Sequence, residues 1–536
     1  MKKGKHLKRV MALAVAAITV STMLFGCGSS KTPETSGTSS ATGDGKEGGV
    51  VTIALSSIPK TIDPVKYTGL YESDVISNIA DTLVTYNKDL SEIVPCLATE
   101  WTVSEDGMSY TFKLRDDVYF QKGEYQDGRK MTSEDVKYSL ERSAKESALN
   151  RLGSLDNVEI LGEYEVKCNL KSVDASFITA LTDAGNVIVP KEEVEGQGEK
   201  FATNLVGTGP FKLVEWKKDM YAKLERNENY WGQRPNLDGV TFKFITDRNM
   251  MVNALKTNEI QIATDLGGEG VKLVEDDNNL TLEKVPGLQV SYLYMNLMNG
   301  PTADKKVREA IYSAINVEEL VQGIFQNGEA SRAYLPLPPA SWGYDESLES
   351  LIPEYNVEKA KQLLAEAGYA DGFKTELYIS NTPARVSMAT IVQQQLKQNL
   401  NIDVEIKTQE WGTFSDIASK GNAPLYGMSW SWYPDPFFFL NKMFHSSEIG
   451  ALGNGQGYNN SEVDKLLDEA LTISDQNERA EKYKQATKLI VEDLPAIWYA
   501  NENVMVGLNN KVKDFNVRPD NIKKFVGEDF NVYLEK

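Results

Sequence analysis

The side chains best suited to holding a small molecule crowd into one short segment. Tyr426-Gly427-Met428-Ser429-Trp430-Ser431-Trp432-Tyr433 alternates like a strand, and Pro434-Asp435-Pro436 ends it before Phe437, Phe438 and Phe439. At strand spacing Ser429, Ser431 and Tyr433 share one face, and Trp430 and Trp432 share the other. Flat indole faces suit sugar rings, whose apolar sides stack while their hydroxyls seek hydrogen bonds. The competing role for such rings is to fill a core between sheet and helix. Asp435, between two prolines, suits a turn or cap as well as a ligand contact. Bond-breaking chemistry is poorly provided for. The chain has two histidines, His6 and His445, which removes the zinc-binding His-Glu-x-x-His and any multi-histidine cage. It has no Walker loop and no Gly-x-Ser-x-Gly elbow. A surface glycosidase needs only two carboxylates, and 77 acidic residues leave that open. The chain therefore reads as non-catalytic, with no cofactor and no metal.

Alternating strand-like and helix-like patches must position these groups. Val50 to Leu55 is a β-branched run that opens a sheet. Apolar spacing predicts a helix over Ser73 to Tyr86. Tyr110 to Leu114 alternates as a half-buried strand should, and Gly207-Thr208-Gly209-Pro210 turns into a strand from Phe211. Thr132 or Ser133 followed by Glu134 and Asp135 predicts a capped helix to Ser143. Further helices are expected at Asp304 to Ile315, Val357 to Ala367, Ala384 to Asn399, Ser461 to Ser474 and Glu478 to Val491. Strands are expected at Thr375 to Ile379 and Val404 to Lys407. This mixture predicts an α/β body of several lobes.

The N-terminus fixes where that body works. Lys2, Lys3, Lys5, Lys8 and Arg9 precede an apolar run from Val10 to Phe25, which is short of the roughly 20 residues that span a membrane. It ends in Leu24-Phe25-Gly26-Cys27, which resembles the bacterial lipoprotein box, whose cysteine carries lipid and becomes the first mature residue. Residues 1–26 are thus expected to be a signal peptide, and 27–49 a lipid-anchored flexible linker poor in apolar side chains. Loss of the signal moves the net charge from −20 to about −25, which disfavours nucleic acid as a partner. Cys96 and Cys168 remain in the body, and whether they pair is left open.

Ordered motifs across residues 50 to 536 carry a second resemblance. They include Asp63-Pro64, Pro95-Cys96-Leu97-Ala98, Trp101, Asp127-Gly128, Thr132 to Ser139, Gly207 to Phe211, Tyr230-Trp231-Gly232 and Val307 to Ala310. Glu410-Trp411, Pro434-Asp435-Pro436, Tyr458-Asn459-Asn460 and Leu494-Pro495 follow. Together they are similar to the extracytoplasmic solute-binding proteins of the peptide, opine and nickel family of ABC importers. The resemblance implies a two-lobed periplasmic-binding-protein-like α/β fold with a hinged cleft and an extra domain inserted in the first lobe. Lobe I would comprise 50–82, 206–297 and 498–536, the extra domain 83–205, and lobe II 298–497. The hinge crossovers would lie near Asn296 and Tyr499. The implied function is to capture a solute, chiefly an oligopeptide, and deliver it as a monomer to a membrane permease.

By the same resemblance the ligand-binding residues are Trp411, Met428, Ser429, Trp430, Ser431, Trp432, Tyr433 and Asp435 from lobe II, with Tyr67 from lobe I. One position departs from the pattern. Peptide binders carry an aspartate for the ligand's α-amine three residues before the acidic residue of the motif, and here that position is Trp432. An indole cannot offset desolvation of an ammonium group as a carboxylate can. The ligand either finds another carboxylate or has no amine, and an oligosaccharide is the alternative.

Overall fold

Val50–Leu55 lies within one flank of a mixed eleven-stranded sheet. It pairs in parallel with Gly239–Phe244 on one side and Ile262–Thr264 on the other, and Tyr221–Arg226 and Phe211–Lys217 complete the flank. In the opposite flank Leu425–Trp430 lies between Lys374–Ser380 and Leu280–Met295, with Asp403–Gln409 at the edge. Two long antiparallel strands, Leu280–Met295 and Ala496–Asn509, join the flanks. The computed structural model describes residues 48–536. The expected signal peptide, Cys27 and all but the last two residues of the linker lie outside them. Among the described residues no helix is long and apolar enough to cross a membrane.

The cores divide along the long strands. Val51, Ile53, Phe211, Phe242, Val506 and Phe525 belong to one core, and Tyr292, Tyr294, Met388, Tyr483 and Trp498 to another. The pairing register of the long strands slips between Pro286 and Gln289, where Pro286 has no N–H to donate and Gly287 adds freedom. The residues expected to flank the crossovers, Asn296 and Tyr499, are both buried. Tyr499 belongs to the second core, and Asn296 donates to the Gly421 and Ala423 carbonyls at 2.8 and 3.2 Å.

A third core fills a separate four-stranded antiparallel sheet, ordered Ala98–Val103, Ser109–Leu114, Glu165–Leu170, Leu155–Gly162. Helix Ser133–Glu146 covers it, and Thr132 and Asp135 form a reciprocal capping box at its start. Cys168 is buried in this sheet, and both it and Cys96 are free thiols. Gln121 fastens the domain to the first flank by donating to the Ile79, Gly209 and Phe211 carbonyls. Close approach explains the glycines of the turn, since a Cβ on Gly209 would lie 2.6 Å from the Ile79 carbonyl carbon. The helix expected over Ser73 to Tyr86 instead spans Leu70–Ile79. Its chain turns extended at Ala80, and Val84–Tyr86 becomes a short strand.

This inserted domain also touches the second flank. Asp435 is fully buried and accepts from Arg479 at 3.0 Å, from Thr179 Oγ1 at 3.0 Å and from the Phe437 N–H at 3.0 Å. The Ala175 N–H donates to the Leu471 carbonyl at 3.0 Å. Asp435 is therefore a helix-start and domain-bridging residue, and its carboxylate is spent on protein donors. Arg479→Leu would leave that carboxylate buried and unpaired, so the urea unfolding free energy should fall by about 3–5 kcal/mol. A loss below about 1 kcal/mol, the level of a surface pair, would contradict this role.

Candidate functional site

A cavity of about 1110 Å³ lies where the two flanks and the inserted domain meet. That exceeds the range of roughly 300–1,000 Å³ usual for small-molecule sites. Its floor is the slipped part of the long strands, Gly287 to Gln289 and Glu502 to Met505. The N-terminal ends of two helices, Leu70–Ile79 and Gly267–Glu275, contribute Leu70 and Gly267 to Glu269 from the first flank. Ser431, Trp432, Tyr433 and Pro434 contribute the opposite wall, directly beyond the end of strand Leu425–Trp430.

The expected site residues divide. Tyr67, Ser431, Trp432 and Tyr433 line the cavity, whereas Trp411, Met428, Ser429, Trp430 and Asp435 do not. Met428 is 2% exposed within the second core. Ser429 Oγ lies 2.8 Å from Ser291 Oγ in the neighbouring strand. The Trp430 indole N–H donates to the Phe438 carbonyl at 2.9 Å, which turns that ring onto helix Phe437–Phe444. Trp432 stacks on Phe438 with ring centroids 5.6 Å apart and lies 5.9 Å from the Trp430 ring, and of the two indoles it alone lines the cavity. Trp411 is 48% exposed, with the Arg385 guanidinium 5.8 Å from its ring centroid.

A buried charge network closes one end of the cavity. Asp183 Oδ1 accepts from Tyr67 OH at 2.6 Å, from the Gly185 N–H at 2.6 Å, and faces Arg151 Nε at 2.6 Å. Asp183 Oδ2 accepts from Tyr433 OH. Arg151 also donates to the Tyr67 carbonyl at 3.0 Å and lies 4.0 Å above the Tyr67 ring centroid. Burial and the adjacent Asp183 both push the Tyr67 and Tyr433 phenols well above their usual range, so both stay neutral donors. Asp183 thereby ties one flank, the inserted domain and the other flank to a single carboxylate. At the far end Asn327 Nδ2 donates to the Gly268 carbonyl at 2.6 Å, a second contact across the gap.

Other charged residues on the wall went unpredicted. Asp265 accepts from Ser56 at 2.8 Å and Tyr71 at 3.2 Å, and burial with this carboxylate pushes the Tyr71 phenol up to about 12. Lys524 reaches Thr85 Oγ1 at 3.3 Å, and burial, then Arg518, holds its ammonium below the usual range. Glu502 completes the floor. One signal was available for it: Asn501-Glu502-Asn503 interrupts an otherwise apolar strand, Ala496–Asn509. Asp183 and Asp265 give no local sign beyond a glycine nearby.

Comparison with known proteins places this geometry. The family model for bacterial extracellular solute-binding proteins, family 5 Middle, matches residues 92–451. The oligopeptide-binding protein AppA of Bacillus subtilis (strain 168) is 31% identical over 565 residues, covering 97% of this chain and 99% of that protein. The periplasmic binding protein DppA of Helicobacter pylori, solved with the peptide STSA, has a TM-score of 0.75 at 30% identity and is covered to 99%, with 92% of this chain. B. subtilis AppA, solved with a nonapeptide, has a TM-score of 0.72 at 27% identity, covering 92% of this chain and 100% of that one. These are two-lobed solute-binding proteins rather than enzymes, so the glycosidase alternative is set aside. The flanks are the two lobes, the cavity is the cleft between them, and the chain belongs to the bacterial extracellular solute-binding proteins of family 5.

Proposed function

We propose that this protein captures an extended oligopeptide in the cleft and delivers it to the membrane permease of an ABC importer. The observation that carries the reading is an unpaired strand edge. Leu425–Trp430 pairs with Lys374–Ser380 only over Leu425 to Gly427, so from Met428 onward that edge has no strand neighbour. It continues into Ser431 to Tyr433 on the cavity wall. A peptide lying there extends the sheet with main-chain hydrogen bonds, and its side chains occupy the surrounding space. Relatives named for oligopeptide binding, one solved with a nonapeptide, support a ligand of several residues. The sugar reading is weakened because Trp430 packs against a helix and leaves only Trp432 at the cavity.

Lipid on Cys27 would tether the body outside the cytoplasmic membrane, with residues 27–49 as spacer. The basic head, short apolar run and Leu-Phe-Gly-Cys ending support this. A covalent anchor suits a surface whose net negative charge gives it no attraction to anionic lipid. Nothing in the reading requires a second copy of the chain, and capture by a monomer is sufficient.

Two outcomes test these claims. After a denature-and-refold step, matching peptides at about 100 times their dissociation constant should add roughly 2.7 kcal/mol of stability, read as a rise in melting temperature. A rise with oligosaccharides alone would overturn the peptide reading. Separately, the native chain should partition with detergent from cell envelopes, and Cys27→Ser should appear in the aqueous phase. Equal partitioning of the two would remove the anchor.

A further inference from the structure

A peptide in the cleft brings an ammonium group, and Trp432 on the wall cannot offset its desolvation as a carboxylate can, so a carboxylate elsewhere on the wall must receive it. Six carboxylates line the cavity: Asp183, Asp265, Glu269, Glu329, Glu502 and Asp520. Asp183 is spent on Tyr67, Arg151, Tyr433 and the Gly185 N–H. Asp520 is paired with Arg518 at 2.7 Å. Glu269 is exposed on helix Gly267–Glu275 of the first flank, and Glu329 accepts from the Gln326 N–H at 3.0 Å and precedes Ala330, which pairs with Glu502 from the strand beyond it. Asp265 and Glu502 remain.

Strand register separates these two. Trp430 pairs with Val290, so the next residue along, Ser431, falls beside Gln289, and Gln289 pairs with Glu502. Glu502 is therefore two strands from Ser431, roughly 10 Å at the usual strand spacing. Asp265 follows Ile262–Thr264, which lies on the far side of the Glu502 strand. Of the two, Glu502 is the closer to the unpaired edge on which the peptide backbone would lie.

Resting on the peptide reading above, we propose that Glu502 receives the ligand's ammonium group. Gln289 Nε2 and Ser291 Oγ both donate to its Oε1, the latter at 3.3 Å, and orient the carboxylate on the cavity floor. Oε2 accepts from no side chain or backbone group among the described residues, and Glu502 forms no ion pair there. Burial raises its affinity for a proton, while the Gln289 and Ser291 hydrogen bonds oppose this; Glu329 adds repulsion and Arg385 a weak opposing attraction. A carboxylate that is desolvated, oriented and short of a cation gains when an ammonium arrives. The same site would reject ligands whose amine is blocked, because their arrival would leave both the charge and its desolvation unanswered.

The test compares binding of a randomised nonapeptide pool in free-amine and N-acetylated forms by equilibrium dialysis, for the native protein and Glu502→Gln. The native protein should bind the free-amine pool roughly 10- to 100-fold more tightly. Glu502→Gln should abolish that difference while the empty protein melts at the same or a higher temperature, because the isosteric amide removes a buried charge. Retained discrimination in Glu502→Gln, or equal binding of both pools by the native protein, would overturn the inference and leave the peptide reading standing. Loss of both pools together with a lowered melting temperature would make Glu502 structural and overturn it as well. Failure of the native protein to bind either pool would overturn the peptide reading along with it.

Discussion

The second lobe reaches the first through two antiparallel strands, Leu280–Met295 and Ala496–Asn509, and the rest of the structure depends on how that pair is built. A ladder that ran unbroken through both lobes would hold them rigid, since bending it would cost hydrogen bonds. The pair instead slips at Pro286 to Gln289, where the proline has no N–H to donate, and again between Ser291 and Tyr292. The same step forms the floor of the cavity and carries Gln289 and Glu502. A ligand on that floor would touch the strands that join the two flanks. Closure of two lobes about a hinge is the usual way in which binding proteins convert occupancy into shape.

Away from these strands, the lobes are held together by polar contacts that come from the inserted domain as much as from the lobes themselves. Asp183 collects donors from Tyr67, Arg151 and Tyr433, and Asp435 collects Thr179 and Arg479. Both carboxylates sit in the span between the inserted domain and the second lobe. The domain is therefore one jaw of the clasp. Because each contact joins groups that could be solvated in an open state, the net stabilisation per hydrogen bond is modest, about 1.5–3 kcal/mol even with a charged partner. A ligand with contacts to both sides can shift such a balance.

What could be read from the sequence was local. Helix Ser133–Glu146 follows from Thr132 and Asp135, which cap it without help from the rest of the chain. Helices Lys305–Ala314, Val357–Glu366 and Pro383–Leu400 likewise begin within a residue of their expected starts, and Asp304 and Asn356 cap the first two. The long strand Leu280–Met295 has no unbroken alternation to announce it, because Pro286-Gly287 interrupts it where its pairing register slips. The alternation puts Trp430 and Trp432 forward together as ligand-binding residues, yet only Trp432 lines the cavity. The helix that follows them then takes one ring for itself, a choice made by tertiary packing. Asp183 and Glu502 are single carboxylates among 77 acidic residues, distinguished only by what the fold brings beside them. The family resemblance supplied the two-lobed architecture, which periodicity alone could not.

The central claim is that solute occupancy closes the lobes about the slipped strands. Small-angle X-ray scattering of the purified protein, stripped of carried solute and then titrated with its binding peptide, tests it most directly. The account predicts a radius of gyration that falls with occupancy and saturates at the stoichiometry of binding. A radius that stays constant while peptide binds would contradict it.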